Sequence, residues 1–244
     1  MIPDEETGSR SLAPLVKKRV LDTDCVIVTD HWDFDVVAAQ KGLIHMRITV
    51  FGKKAHGAYP WLGDSAIDRA AAIVSDLKKL KFRYKKSARY HGPTINVGTI
   101  RGGETVNTVA SRCEIGVDLR YLPGMGYSRI MTRVAATVSS HAKKYEIVVD
   151  DHQAPFASDT RLPYVRTLLS CIRKRRKSAR IVGTDGVTAI SFFKKRNAVC
   201  VGFGPAGVAH MTDEYILVSN LMDGTSVLED FVEAYLRVAK TSKR

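Results

Sequence analysis

Two styles of strand occur in this chain, and they demand different surroundings. "DCVIVTD" (Asp24 to Asp30) passes through four consecutive buried-type residues before a polar pair, the pattern of a strand covered on both faces, as in parallel sheets. "NAVCVGFGPAG", from Asn197, is a second buried strand, and it breaks into glycines. Between them Met46, Ile48 and Val50 alternate with polar positions, the mark of a half-buried strand. The middle of the chain is therefore built to a different plan from its two ends.

The middle continues with an amphipathic helix from Asp64, with Ile67, Ala70, Ala71, Val74 and Leu77 on one stripe. Strands at Thr94 to Ile100 and Cys113 to Leu122 flank a Gly102-Gly103 turn. A helix over Ser128 to Ala142 brings Ile130, Val134 and Val138 into register, and a strand at Tyr145 to Asp150 closes the set. The order β-α-β-β-α-β is the split βαβ unit, a compact domain of its own.

The outer thirds read as one α/β unit. "SLAPLVKK" (Ser11 to Lys18) is a short helix despite Pro14, and residues 151–160 read as a linker followed by the helix "LPYVRTLLSCIRK". "GTDGVTAISFFKK" reads as a loop capped into a helix by Thr184 or Asp185. The last helix buries Val227, Phe231, Ala234, Tyr235 and Val238. The expected fold is thus α/β: an open α/β domain over residues 1–42 and 154–244, interrupted by a ferredoxin-like βαββαβ domain over 43–153.

The formal charge of +13, with a basic run at Arg173 to Lys177, favours anionic partners. Most of the lysines and arginines are scattered, and those in "DLKKLKFRYKK" (Asp76 to Lys86) read as the solvated face of a helix. No nucleic-acid module pattern appears, so nucleic acid is not an expected partner. Cys25, Cys113, Cys171 and Cys200 are far apart and form no CxxC pair, which points to reduced, structural cysteines. The chain opens without a signal-peptide pattern and contains no apolar run of membrane-spanning length, so the expected location is cytoplasmic, with no membrane partner.

Glu5 and Glu6 are adjacent carboxylates, and on spacing alone such a pair is ordinarily solvated. The functional alternative is one carboxylate holding a metal while its neighbour works as general base, and it needs further ligands. Asp30 at the end of an apolar strand and His210 in "AHMTDEY" are the candidates, in a donor set suited to zinc or a similar ion. "GFGPAG" and "GTDG" are glycine turns able to bring backbone N–H groups to an anion, although neither matches a phosphate or dinucleotide fingerprint. His31 and Asp33 in "HWD" form a tempting His-x-Asp pair, which an ordinary strand start explains.

Taken together, "PDEETGS", "VTDHWDFDVVAAQKG", "GKKAHGAYPWLGDSAI", "GTIRGGETVNTVASRCEIGVDLRYLPG", "GTDG" and "GFGPAGVAHMTDEY" resemble, in order and spacing, the zinc aminoacylase and carboxypeptidase family. That family includes acetylornithine deacetylase, succinyl-diaminopimelate desuccinylase and carboxypeptidase G. The resemblance implies a metallopeptidase or amidohydrolase that cleaves the amide bond of an N-acyl amino acid or small peptide. It also implies a phosphorylase/hydrolase-like catalytic domain with a lid and dimerisation domain inserted.

Carried over residue by residue, it makes Glu5 the general base, Glu6, Asp30 and His210 metal ligands, and His56 a donor to the reacting carbonyl. Asn107, Arg120, Thr184, Asp185 and Gly204 would line the substrate site, with Arg120 pairing with a substrate carboxylate. The implied cofactor is a divalent metal, zinc first, then cobalt or manganese. The implied partners are a small anionic N-acyl amino acid or peptide and a second copy of the chain through the lid domain.

Family members carry a His-x-Asp motif and a bridging Asp upstream of the Glu-Glu pair. The expectation is therefore an N-terminally truncated or split chain, with exposed apolar faces and a possible separate N-terminal polypeptide completing it. The alternative is a non-catalytic dimerising or binding remnant.

Overall fold

A computed structural model describes residues 11–18, 20, 23, 25–31, 33–193, 198–202, 212–213 and 215–241. In chain order the elements are α1 (Leu12–Lys17), β1 (Val26–Val28), β2 (Val36–Gln40), β3 (Gly42–Phe51), α2 (Ala66–Lys79), β4 (Thr94–Gly102), β5 (Arg112–Tyr121), α3 (Tyr127–Ser139), β6 (Tyr145–Gln153), β7 (Phe156–Ala157), α4 (Pro163–Arg173), β8 (Ile181–Thr184), β9 (Ala198–Val201) and α5 (Val218–Thr241). They sort into two compact units: Met1–Gln40 with Ala88–Tyr90 and Phe156–Arg244, and Lys41–Ser87 with His91–Pro155.

In the first unit β9 lies between β1, which runs parallel to it, and β2, which runs antiparallel. The opposite edge of β2 takes β8 in parallel, and the end of β2 pairs antiparallel with the short β7. The sheet is mixed, and the parallel arrangement expected from the apolar runs holds for β1 with β9 and for β2 with β8. Successive side chains of β2 and β9 point to opposite faces, and both faces are covered. Val36, Ala38, Val199 and Val201 pack with Val165 and Leu168 of α4 and Val227 and Phe231 of α5. Val37, Ala198 and Cys200 pack with Leu12 of α1 and with Ile190. That double burial is why these strands are apolar at every position instead of every second one.

Several expectations in this unit need correction. "GTDGVTAISFFKK" does not enter an α-helix at Thr184 or Asp185: β8 runs through Thr184, and a single 3-10 turn, Ala189–Phe192, follows, capped by the Thr188 hydroxyl accepting from Ile190 N. Residues 151–160 are not a linker, since β6 extends to Gln153 and β7 begins at Phe156. Asp33 does not start a strand: residues 33–35 bend, Asp33 Oδ1 accepts from Phe34 N at 2.7 Å, and β2 begins only at Val36.

The basic run after α4 is not an open anion site either. Lys174 and Arg175 both reach Asp230 of α5, and Arg176 reaches Asp223 and Asn220. These cations pin α4 against α5, two helices that already share a buried seam. The remaining exposed surface of α5 keeps an apolar stripe with Leu221, Met222, Val232 and Leu236.

The second unit follows the expected β-α-β-β-α-β order, with an antiparallel sheet in the order β4-β5-β3-β6. Ser65 starts α2 by accepting from Asp68 N at 3.2 Å, which satisfies one of the helix's orphan donors. Ile73 and Leu77 of α2, Ile130 and Val134 of α3, and Ile44, Ile48 and Ile115 of the sheet form one buried cluster. Each such aliphatic side chain contributes about 1.5–3 kcal/mol by leaving water.

The solvated helical face expected over Asp76 to Lys86 ends early. α2 stops at Lys79, and residues 80–93 pass to β4 without helix or strand. Among the described residues, no helix is long and apolar enough to cross a membrane.

Candidate active site

Of the expected site residues, Glu5, Glu6, Gly204 and His210 lie outside the described residues. Asp30, Thr184 and Asp185 belong to the first unit; His56, Asn107 and Arg120 belong to the second.

Asp30 sits in the turn that leaves β1, where the parallel strands β1 and β9 end side by side. Two contacts tie that turn to β9: Cys200 Sγ donates to Asp30 O at 2.8 Å, and Gly202 N donates to Asp33 O at 3.1 Å. The approach requires glycine at 202, because a Cβ there would lie 1.3 Å from the His31 carbonyl oxygen. Carboxyl ends of adjacent parallel strands are where open α/β sheets place their chemistry. Asp30 is the one expected metal ligand among the described residues, and no group of three His, Cys, Asp or Glu side chains gathers among them. The nearby His31 is held toward its neutral form by burial, against the pull of Asp33 and Asp35.

Thr184 ends β8, and its hydroxyl accepts from Gly186 N at 3.1 Å, closing the turn around Asp185. Under this turn lies Gln40, which the sequence reading missed. It is fully buried at the end of β2, opposite Thr184 in register, and its Oε1 accepts from both Thr188 N and Thr188 Oγ1 at 2.9 Å. Gln40 thus braces both ends of residues 184–188. The available signal was a lone polar residue closing the buried run "VVAAQ".

In the second unit, backbone pairing brings His56 and Asn107 together. His56 bridges to Thr108, and Gly57 N donates to Asn107 O at 2.6 Å. Gly57 is needed for this approach, since a Cβ there would press on the Asn107 backbone at 2.9 Å. His56 Nδ1 accepts from Ala58 N at 3.0 Å. A ring nitrogen that accepts carries no proton, so the neutral imidazole holds its proton on Nε2. His56 is exposed, and it therefore offers an N–H donor of fixed tautomer to an incoming oxygen.

Arg120 is paired within its own strand. Its fork is filled by Asp118, with Nε to Oδ1 at 2.7 Å and Nη2 to Oδ2 at 2.9 Å, and His45 Nε2 stands 3.4 Å from Asp118 Oδ2. Burial pushes the Asp118 carboxyl up, and the hydrogen bond and charge of Arg120, helped by His45, more than reverse this and hold it below its ordinary value. This pair uses the Nε–Nη2 edge of the guanidinium and leaves the Nη1–Nη2 edge outside it. The signal was readable, because residues two apart in "VDLR" share a strand face.

Residues 38–146 match the model of the M20 peptidase dimerisation domain. Among solved structures, the chain is similar to a tripeptidase from Staphylococcus aureus, with 23% identity, a TM-score of 0.76, 92% of this chain covered and 60% of that one. It is similar to aminopeptidase PepT from Bacillus cereus, with 18% identity, a TM-score of 0.77, and coverage of 94% and 62%. An M20 family metallo-carboxypeptidase from Sulfolobus solfataricus gives 18% identity, a TM-score of 0.77, and coverage of 95% and 68%. At these identities the likeness to solved structures is one of fold, and the chain spans about six-tenths of the length of the first two peptidases. The chain carries the peptidase dimerisation domain of the M20 family, set within the fold that M20 family metallopeptidases share.

Proposed function

We propose that this chain serves a metal-dependent hydrolase that cleaves the amide bond of a small anionic N-acyl amino acid or peptide. The observation that carries this reading is that the stretch matching the peptidase dimerisation domain holds His56 with its Nε2 proton presented to solvent beside Asn107. In this reading Glu5 takes a proton from the attacking water and returns it to the leaving amine. His56 Nε2–H donates to the oxygen on which charge develops, and its tautomer is set in advance by Ala58 N. Thr184, Asp185, Asn107 and Gly204 orient the substrate, with Gln40 fixing the loop that bears the first two.

Glu6, Asp30 and His210 are two carboxylates and an imidazole, donors that suit a divalent ion. They would hold zinc, or cobalt or manganese, which when bound polarises a carbonyl and acidifies water. The dimerisation domain supports a homodimer, and the exposed Tyr59, Trp61, Leu62, Ile67 and Val106 of the second unit suit such a contact. The bare apolar stripe on α5 suits a cover supplied by an upstream segment or a separate polypeptide. Four cysteines without a disulfide suit the cytoplasm.

The test is hydrolysis of a panel of N-acyl amino acids and dipeptides with zinc, cobalt or manganese, by the chain alone and with the upstream segment supplied. Activity that disappears with chelator and in Glu5→Gln is the expected result. No hydrolysis in either form, together with no zinc binding by calorimetry, would refute it. That outcome would leave a dimerising remnant without activity, a reading that draws on Arg120 being locked to Asp118.

A further inference from the structure

The second unit begins at Lys41 and ends at Pro155, and its two ends meet under one aromatic ring. Tyr121, the last residue of β5, pairs in register with Gly42, the first of β3. A Cβ at Gly42 would lie 2.5 Å from the Tyr121 ring and 2.8 Å from Pro155 Cδ, so glycine is required where ring, strand start and chain exit converge. Because Gly42 has no side chain, the buried Tyr121 ring reaches across β3, and its hydroxyl stands 2.7 Å from His152 Nε2 on β6.

The direction of that bond follows from its surroundings. Burial, helped by Tyr127, pushes the Tyr121 phenol up to about 12, so the hydroxyl keeps its proton and donates, and Nε2 accepts. Neutral His152 therefore carries its own proton on Nδ1. Its ring lies 4.3 Å from that of Tyr127, the first residue of α3, whose N-cap Gly126 gives no side-chain cap. A second proton on the imidazole would face the positive end of α3 and leave the buried phenol proton without its acceptor. His152 keeps an exposed edge, so solvent protons reach it. The groups facing it are Tyr121 on β5, Tyr127 on α3, Ile44 opposite on β3 and Asp151 beside it on β6, and of these Asp151 pulls toward protonation. Burial outweighs that pull and holds His152 below its ordinary 6.5.

We infer that the Tyr121–His152 hydrogen bond is an acid-released clasp on the ends of the second unit: closed while His152 is neutral, it holds Gly42 and Pro155 beneath the Tyr121 ring, and a proton on Nε2 opens it. The sign follows from linkage. A histidine held below its ordinary value in the folded state contributes stability that is present above 6.5 and is lost as pH falls through the lower folded value. The starts and ends of the strands at this neck are therefore firm at neutral pH and loosen in mild acid, while the aliphatic centre of the unit, with Ile48, Ile73, Ile115 and Ile130, is untouched. The clasp does not depend on the hydrolase reading above.

The test is hydrogen exchange of the whole chain, read as protection of residues 42–44 and 151–153 after correction for the intrinsic rate at each pH, with the His152 imidazole followed by NMR. In the parent, protection of these ends is expected to fall about fivefold between about pH 7.5 and about pH 5, the loss of one hydrogen bond, with no such fall at Ile48 or Ile115. Tyr121→Phe keeps the ring over Gly42 and removes the donor. It is expected to show the lowered protection already at neutral pH, with His152 titrating closer to 6.5 than in the parent. His152→Gln offers an amide oxygen that accepts the same proton and does not titrate, and it is expected to hold the ends alike at both pH values. Protection of the ends that does not change with pH in the parent, a His152 titration unmoved in Tyr121→Phe, or acid loosening retained in full by His152→Gln would each overturn the clasp.

Discussion

If Arg120 is a structural clamp on Asp118 and not a reserve for substrate, its removal must cost stability. Arg120→Ala deletes two charge-assisted hydrogen bonds, at 2.7 and 2.9 Å, and leaves the part-buried Asp118 with His45 at 3.4 Å as its remaining ion-pair partner among the described residues. At a charge separation of about 4 Å and an effective dielectric near 20, the pair's gross attraction is roughly 4 kcal/mol. The side chains are 25% and 30% exposed, so water already screens them and part of that attraction is offset by desolvation. A net loss of about 1–2 kcal/mol remains. At roughly 4–8 °C per kcal/mol for a unit near this size, that lowers the melting temperature by roughly 4–16 °C.

The pH dependence has a definite sign. Asp118 titrates in the folded state below its ordinary 3.8, because Arg120 and His45 outweigh burial. Its contribution is present above that ordinary value and is lost as pH falls through the lower folded one. The gap between wild type and Arg120→Ala, read by circular dichroism melts, is therefore full at pH 7 and narrows as pH falls to about 4 and below. A variant that melts with wild type at pH 7, or a gap that does not change with pH, would refute the clamp and return Arg120 to the substrate.

Three other outcomes are open to measurement. Ile73→Ala empties a fully buried site beneath α2 and is expected to cost about 2–5 kcal/mol in urea denaturation; a cost under about 1 kcal/mol would mean that the cluster is not close-packed. Gly202→Ala forces a methyl onto the His31 backbone and is expected to destabilise the first unit by more than about 3 kcal/mol, with the turn bearing Asp30 losing hydrogen-exchange protection. Asp230→Ala releases Lys174 and Arg175, and its melting temperature is expected to fall more at low salt than in about 1 M salt, where the Debye length is near 3 Å.

The second unit was legible in the sequence because each of its elements has one wet face. Met46, Ile48 and Val50 alternate, Ile130, Val134 and Val138 recur at helical spacing, and the buried cluster is made of those residues. The first unit was less legible for the same reason reversed: strands covered on both faces carry no period, so the antiparallel pairing of β2 with β9 left no trace in "VVAAQ". Short apolar segments were ambiguous too, and "TAISFF" became a 3-10 turn where a helix was expected. At the site, residue type and order suggested roles, whereas occupancy depended on neighbours far along the chain or on the far side of a strand. Gln40 meets Thr188 across the sheet, and the basic run after α4 meets acids on α5.

The register Gln40↔Phe156 makes β2 and β7 a hairpin in all but the length of what joins them. Leu43 faces Gln153 on the far side of that junction, so both strands of the junction continue as neighbours into the next sheet. A module grafted at a hairpin tip leaves the host's pairing untouched, since its two ends already stand where a tight turn would put them. Cutting back residues 41–155 to a two-residue turn keeps every strand of the parent sheet and removes only residues 88–90 from the first unit, and evolution could exchange such a tip without redesigning the scaffold beneath it.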